Sequence, residues 1–173
     1  MIKLTNQEIY EIQNFVEKSE VNFYSTRNQF DVNKKKNDIK IGKCGEYIVY
    51  KYFNKKYPTI TKPDFNIYEK YDKSWDYDLK TDKYNIHVKS QDYSSSKLFG
   101  ISWIFEKSDK HIFQNYGDND WVCFVLVNIN NYTGKILKLV KIKTLHEKNL
   151  FKSPKLNKLK TKLAVYFSDL KLI

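Results

Sequence analysis

The chain has 173 residues, is 41% hydrophobic and carries a formal net charge of +11. That length suits one domain with a real core and is short for two. No apolar run approaches the length that spans a bilayer. The two cysteines, Cys44 and Cys123, argue against a disulfide framework and read as reduced thiols of a cytoplasmic protein, with a single bridge as the alternative.

The positive charge is clustered. Residues 132–173 hold eleven lysines against Glu147 and Asp169, and residues 33–43 hold five against Asp38. Clustering of this kind points to a polyanion, most simply nucleic acid. The competing explanation is coding bias. Arg27 is the lone arginine, and Asn, Tyr, Ile and Phe are abundant, as an A+T-rich genome would produce.

In chain order, Leu4-Thr5-Asn6-Gln7-Glu8-Ile9 opens a helix over 5–18. Thr5 and Glu8 form a capping box and Leu4 staples to Ile9. Ile9, Ile12, Phe15 and Val16 make its apolar stripe. The start has no signal-peptide core. Residues 21–32 read as extended or loop, and 33–37 as a basic loop. Asp38 is the expected cap of a second helix that runs to about Lys56, with Pro58 forbidding its continuation. Its apolar face is Ile41, Ile48, Val49, Tyr52 and Phe53. Gly42 and Gly45 weaken a helix by about 1 kcal/mol each, so close approach to the sheet or to a phosphate is the functional reading, and an irregular first turn the bland one.

Residues 59–67 read as a strand broken by Pro63. The central stretch is Trp75–Gln91. Asp76 and Asp78 alternate with Tyr77 and Leu79, so both carboxylates share one face of a short strand. Thr81-Asp82-Lys83 is a turn. In the following strand His87, Lys89 and Gln91 share a face, with Ile86 and Val88 opposite. Pairing the strands brings a carboxylate, an imidazole and an ammonium together, an arrangement suited to phosphodiester cleavage. Residues 92–96 read as a loop, 98–105 as a strand and 111–116 as a short helix. Residues 121–129 read as a strand buried on both faces, and 135–142 as its antiparallel partner. A short helix over 144–151, a leucine-sided segment over 155–163 and a last strand over 164–167 complete an α/β chain with a mixed central sheet.

At these residues the chain resembles the PD-(D/E)XK nuclease superfamily, which includes restriction endonucleases and Holliday-junction resolvases. Gly42-Lys43-Cys44-Gly45-Glu46 is similar to its Gly-x-x-Gly-Glu helix. Asp78, in a Tyr-Asp-Leu setting, is similar to its first acid. His87-Val88-Lys89 is similar to its acid-x-Lys triplet, with His in place of the acid. The resemblance covers roughly residues 38–130. It implies an α/β restriction-endonuclease-like sandwich, a mixed sheet flanked by helices, as one domain over 1–173: a core over 38–142, the N-terminal helix and a basic segment over 143–173. It also implies Mg²⁺ or Mn²⁺ held by Asp78, His87, Glu46 and the Val88 carbonyl. Asp78, Lys89, Glu46 and His87 are then the catalytic set, and Lys43, Ser90 and Gln91 the nucleic-acid contacts. No organic cofactor is implied.

Each of these residues has a bland reading. Asp78 is otherwise a solvated strand carboxylate, with Asp76 as the rival ligand. Lys89 is otherwise an edge lysine that deters aggregation. Glu46 is otherwise a surface helix carboxylate. His87 has three readings: a variant ligand, a residue that leaves the site impaired, or a satisfied structural histidine. Imidazole suits Mn, Fe or Zn better than Mg. His111 and His146 read as ordinary. The expectation is a metal-dependent DNA endonuclease, plausibly a homodimer. The rival is a catalytically impaired nucleic-acid-binding protein on the same fold. With a single arginine, A+T-rich or shape-based selectivity is expected.

Overall fold

The structure, a computed structural model, describes residues 1–19, 31–67, 77–155 and 159–172. Its centre is a five-stranded mixed sheet. The strands are β1 (Ile2–Lys3), β2 (Leu79–Lys80), β3 (Asn85–Asp92), β5 (Asp120–Asn128) and β6 (Thr133–Lys141), in the order β1-β6-β5-β3-β2. β3 and β5 run parallel and the other pairings are antiparallel. A separate two-stranded antiparallel sheet joins β4 (Ser102–Glu106) to β7 (Lys162–Tyr166).

Helix α1 (Asn6–Ser19) begins at the expected box. The Thr5 N–H donates to Glu8 Oε2 at 2.6 Å, and the Glu8 N–H donates to Thr5 Oγ1 at 3.3 Å. Ile12 and Val16 are buried, and Leu4 and Ile9 join the same cluster. Helix α2 (Val32–Phe53) starts earlier than expected. Asp31, not Asp38, is its cap, accepting from the Lys34 N–H at 3.0 Å. The lysines of residues 34–36 are good helix formers once an upstream cap is present, so the supposed loop is helix. Asp38 pairs instead with Lys34 across one exposed turn.

The middle of α2, Cys44 to Val49, is buried at six consecutive positions. Successive helical residues step by about 100°, so such a run means burial on every side. One side packs on the sheet. Another faces α1, where Tyr47 hydrogen-bonds Glu11 and Lys51 pairs with Glu8 at 2.8 Å. Tyr52, expected on the apolar face, is exposed and packs edge-on against Phe53.

β5 is buried from both faces, as its unbroken apolar run requires. Cys123, Val125 and Val127 join the α1–α2 core, while Val122 and Phe124 join a second core under the two-stranded sheet. There Trp103 packs on Phe124 with ring centroids 4.7 Å apart, and its indole N–H donates to the Val125 carbonyl at 3.0 Å. Helices α4 (Lys110–Phe113), α5 (Ile142–Glu147) and α6 (Phe167–Leu170) close this second core through Ile112, Leu145 and Leu170. The C-terminal segment is thus packed structure as well as basic surface. Cys44 and Cys123 are buried free thiols, and burial pushes both upward, Cys44 to about 12.

Four further expectations differ. Residues 59–67 form no strand, because Pro63 has no N–H for a ladder; only Thr61 bonds β2, by way of Lys80. Residues 92–96 are not loop. Asp92 caps α3 (Tyr93–Phe99), accepting from the Ser94 N–H at 3.0 Å. The strand expected from Leu98 therefore begins at Ser102, after Gly100 has ended that helix with φ +75. Leu159 lies outside any helix and Leu163 belongs to β7, while Leu156 lies outside the described residues. Residues 21–30, Trp75 and Asp76 also lie outside them. Among the described residues no helix is long and apolar enough to cross a membrane.

Candidate functional site

The site is built where α2 lies on β3. A Cβ placed on Gly45 would fall 1.8 Å from Ser90 Oγ, 3.0 Å from Ser90 Cβ and 3.4 Å from Val88 Cγ1. Only glycine allows that approach. Gly42, by contrast, has nothing within 4 Å. The contact seats Glu46 over the sheet, 7% exposed. Lys43 Nζ lies 2.8 Å from Glu46 Oε2 and also sits over the Phe15 and Phe65 rings. Burial pushes the Glu46 carboxyl up to about 8 even with Lys43 opposing it, and the charges of Asp78 and Asp64 push the same way.

Asp78 comes from the other side. It stands one residue before β2, where alternation no longer dictates its direction, and its carboxylate turns toward the edge of β3 beyond the β2 pairing, which no strand among the described residues covers. There Oδ2 accepts the Val88 N–H at 2.6 Å. In a strand, the N–H and C=O of one residue project to the same side, so the Val88 carbonyl faces this edge too. Asp78 thus reaches Val88 directly, and its charge acts on Glu46 in the helix above.

The other face of β3 carries His87, Lys89 and Gln91. His87 is 6% exposed, and its Nε2 has no hydrogen-bond partner among the described residues. Its ring lies 5.0 Å from Tyr77 and 6.4 Å from His111. Burial lowers its pKa, opposed by Asp78, while the Lys89 charge adds to the lowering. Burial thus favours the neutral form of the imidazole. Lys89 Nζ stands 3.9 Å from Asp109 Oδ2 and 5.0 Å over the Phe105 ring. Asp109 also caps α4 through the Ile112 N–H at 3.3 Å, so the Lys89 head is held by a residue that is itself fixed.

The three expected nucleic-acid contacts are all engaged within the fold. Lys43 is paired with Glu46. Ser90 Oγ is buried against Gly45 without a hydrogen-bond partner among the described residues. Gln91 brackets the turn after α3: its Nε2 donates to the Gly100 carbonyl and its Oε1 accepts from the Ser102 N–H, both at 3.0 Å. Of the metal-ligand set, Asp78 bonds Val88 and its charge acts on Glu46, while His87 projects with Lys89 from the opposite face of β3. His146 is satisfied by the Ile112 carbonyl at 2.8 Å and stacks on Tyr116. Asp109 and Asp64 were not singled out by sequence. Asp109 carried a readable signal, an Asp directly before the short helix.

Among the described residues no three His, Cys, Asp or Glu side chains form a metal-holding group, so no closed, zinc-like cage is present there. The donor set fits a different ion. A hard cation such as Mg²⁺ takes one or two carboxylates and keeps its remaining positions for water and phosphate. The oxygens of Asp78, Glu46 and Val88 suit that chemistry, and a cation beside Glu46 would relieve the crowding of negative charge there. Comparison with protein-family models, curated proteins and solved structures finds no match for this chain.

Proposed function

We propose that the protein is a metal-dependent DNA endonuclease of restriction-endonuclease-like fold, hydrolysing phosphodiester bonds at the open edge of β3. The observation that carries this reading is the 2.6 Å hydrogen bond from the Val88 N–H to Asp78 Oδ2. It ties the acid to the middle residue of His87-Val88-Lys89, so that a carboxylate and an ammonium flank one short length of strand. Asp78, Glu46 and the Val88 carbonyl hold Mg²⁺ or Mn²⁺. When bound, the ion polarises the scissile phosphate and lowers the pKa of water. Lys89 stands on the His87 face of β3, across the strand from Glu46 and against Asp109. In this reading its ammonium must reach round the strand edge to orient the attacking water and to add positive charge where the transition state gathers negative charge. Lysine-rich surface retains the DNA backbone, and two copies of the chain supply one site for each strand.

A supercoiled-plasmid nicking assay with Mg²⁺ or Mn²⁺ tests this. Wild type is expected to nick and linearise the plasmid, with activity lost in EDTA and in Asp78→Ala and Lys89→Ala. Undiminished cleavage by either variant removes the assignment. His87 favours the second reading, a nucleic-acid-binding protein that does not cut. Its imidazole takes the place of an acid and faces away from Glu46. Cleavage that appears only in His87→Glu would establish that reading instead.

A further inference from the structure

Lys43 and Glu46 form a pair that is largely taken out of water. The Lys43 ammonium lies 2.8 Å from Glu46 Oε2, and the two side chains are 17% and 10% exposed. The desolvation cost of burying such a pair can exceed its attraction, so stability is a weak reason for it. The other neighbours of the ammonium are aromatic. Nζ stands 5.3 Å from the Phe15 ring of α1 and 5.4 Å from the ring of Phe65, on the segment between α2 and β2. Those two rings meet edge-on, 5.4 Å apart. Three parts of the chain thus build one cation box from a carboxylate oxygen and two π faces.

The box suits an ammonium and not a hydrated metal ion. Ring faces attract an organic cation. Mg²⁺ takes oxygen ligands and gives up its water reluctantly, and the rings supply neither oxygen nor water. Lys43 is therefore a resident of the box, not a plug that an incoming ion displaces. It engages Oε2, which leaves Oε1 as the oxygen of Glu46 for an ion. Asp78 and Asp64 both act electrostatically on Glu46, so the ammonium is the fixed counter-charge of an acidic group rather than of one residue.

Two-ion sites for phosphodiester cleavage hold their cations about 3.5–4 Å apart and stabilise the attacking and leaving oxygens between them. We propose that Lys43 is the built-in second cation of this site, so that the chain works with one divalent ion where a two-ion site needs two. The inference rests on the endonuclease reading above. Lys43 acts through Glu46 and is a positioning residue: it fixes Oε2 and places a permanent positive charge beside the acid. That role also accounts for a lysine expected on the nucleic-acid surface turning inward instead.

The test is a Mn²⁺ titration followed by electron paramagnetic resonance, because two Mn²⁺ ions at that separation couple and a lone ion does not. Wild type is expected to bind one ion per chain with an uncoupled signal. Lys43→Ala is expected to keep that ion and to nick plasmid about 10–100-fold more slowly, the usual loss when the partner of a metal ligand is removed. Propylammonium is expected to restore nicking in Lys43→Ala, since the emptied box admits a free amine. Lys43→Met fills the box with a neutral chain and is expected to stay slow with or without the amine, a difference that a folding defect does not produce. Two bound ions or a coupled signal in wild type, undiminished nicking by Lys43→Met, or a loss in Lys43→Ala that the amine leaves unrepaired would each overturn the inference. One bound ion together with undiminished nicking by Lys43→Met ends this inference alone. A wild type that binds no Mn²⁺ ends the endonuclease reading and this inference with it.

Discussion

Two glycines in one helix should respond to the same substitution in opposite directions. Gly42→Ala places a methyl group in open space and should stabilise the protein by about 0.5–1 kcal/mol, the gain of Ala over Gly in a helix interior. Gly45→Ala makes the same local gain, but its Cβ meets Ser90 Oγ at 1.8 Å and Ser90 Cβ at 3.0 Å. The hydroxyl can rotate away. The Cβ–Cβ distance is set by two backbones, and carbon atoms prefer about 3.5–4.0 Å, so α2 must lift from β3 by several tenths of an ångström. Overpacking of this kind costs about 1–3 kcal/mol, leaving a net destabilisation of up to about 2 kcal/mol once the helical gain is subtracted. For a chain of this size each kcal/mol moves the melting temperature by about 2–4 °C. Urea unfolding of the two variants, with unchanged m-values, is the assay. Ser90→Gly should partly rescue Gly45→Ala, since it removes the opposing Cβ. If Gly45→Ala stabilised the protein as much as Gly42→Ala does, the close helix–strand contact that seats Glu46 would be refuted.

Glu46 should make stability depend on pH in the direction opposite to an ordinary paired acid. Its carboxyl is pushed up to about 8 in the fold, against an unfolded value of about 4.3. The folded state therefore binds more protons between those values, and stability should fall as pH rises from about 4.3 to 8. Glu46→Gln should flatten that slope in thermal melts without metal, and a slope that persists in the variant would assign the effect to another group. Gln91→Ala should free the turn at Gly100, leaving two backbone groups to water, at a cost of about 1 kcal/mol per hydrogen bond. Its clearest readout is faster amide exchange at Ser102, with the exchange of β5 unaltered. DNA affinity should fall steeply with salt through counterion release, and a flat salt dependence would argue for a protein partner instead.

Much of this was readable in the chain because the signals were local. The capping box at Thr5 and Glu8, the turn at Thr81 and the unbroken apolar run of β5 each follow from one stretch of residues. The shared face of His87, Lys89 and Gln91 follows from strand alternation. What alternation does not say is what lies opposite a face. Asp109 and Phe105 reach Lys89 from elements well downstream, and Lys43 turns back onto Glu46 rather than outward. Asp78 escapes the alternation rule because β2 is only two residues long, so its carboxylate takes the strand edge instead of a face. The serines of α3 read as loop because Ser competes for backbone hydrogen bonds; the Asp92 cap and the packing of Ser96 decide otherwise. The start of α2 differs for a related reason: Asp31 and Asp38 are equally able to cap a helix, and the cap forms at Asp31, which leaves Asp38 inside the helix.

The central claim is that oxygen atoms from Asp78, Val88 and Glu46 converge on the edge of β3 to hold a hard divalent ion, and calorimetric titration of Mn²⁺ tests it most directly. The expected result is a saturable isotherm for wild type that disappears in Asp78→Asn, weakens in Glu46→Gln and survives in His87→Ala, because that imidazole lies on the far side of the sheet. An isotherm lost in His87→Ala but unchanged in Asp78→Asn would contradict it.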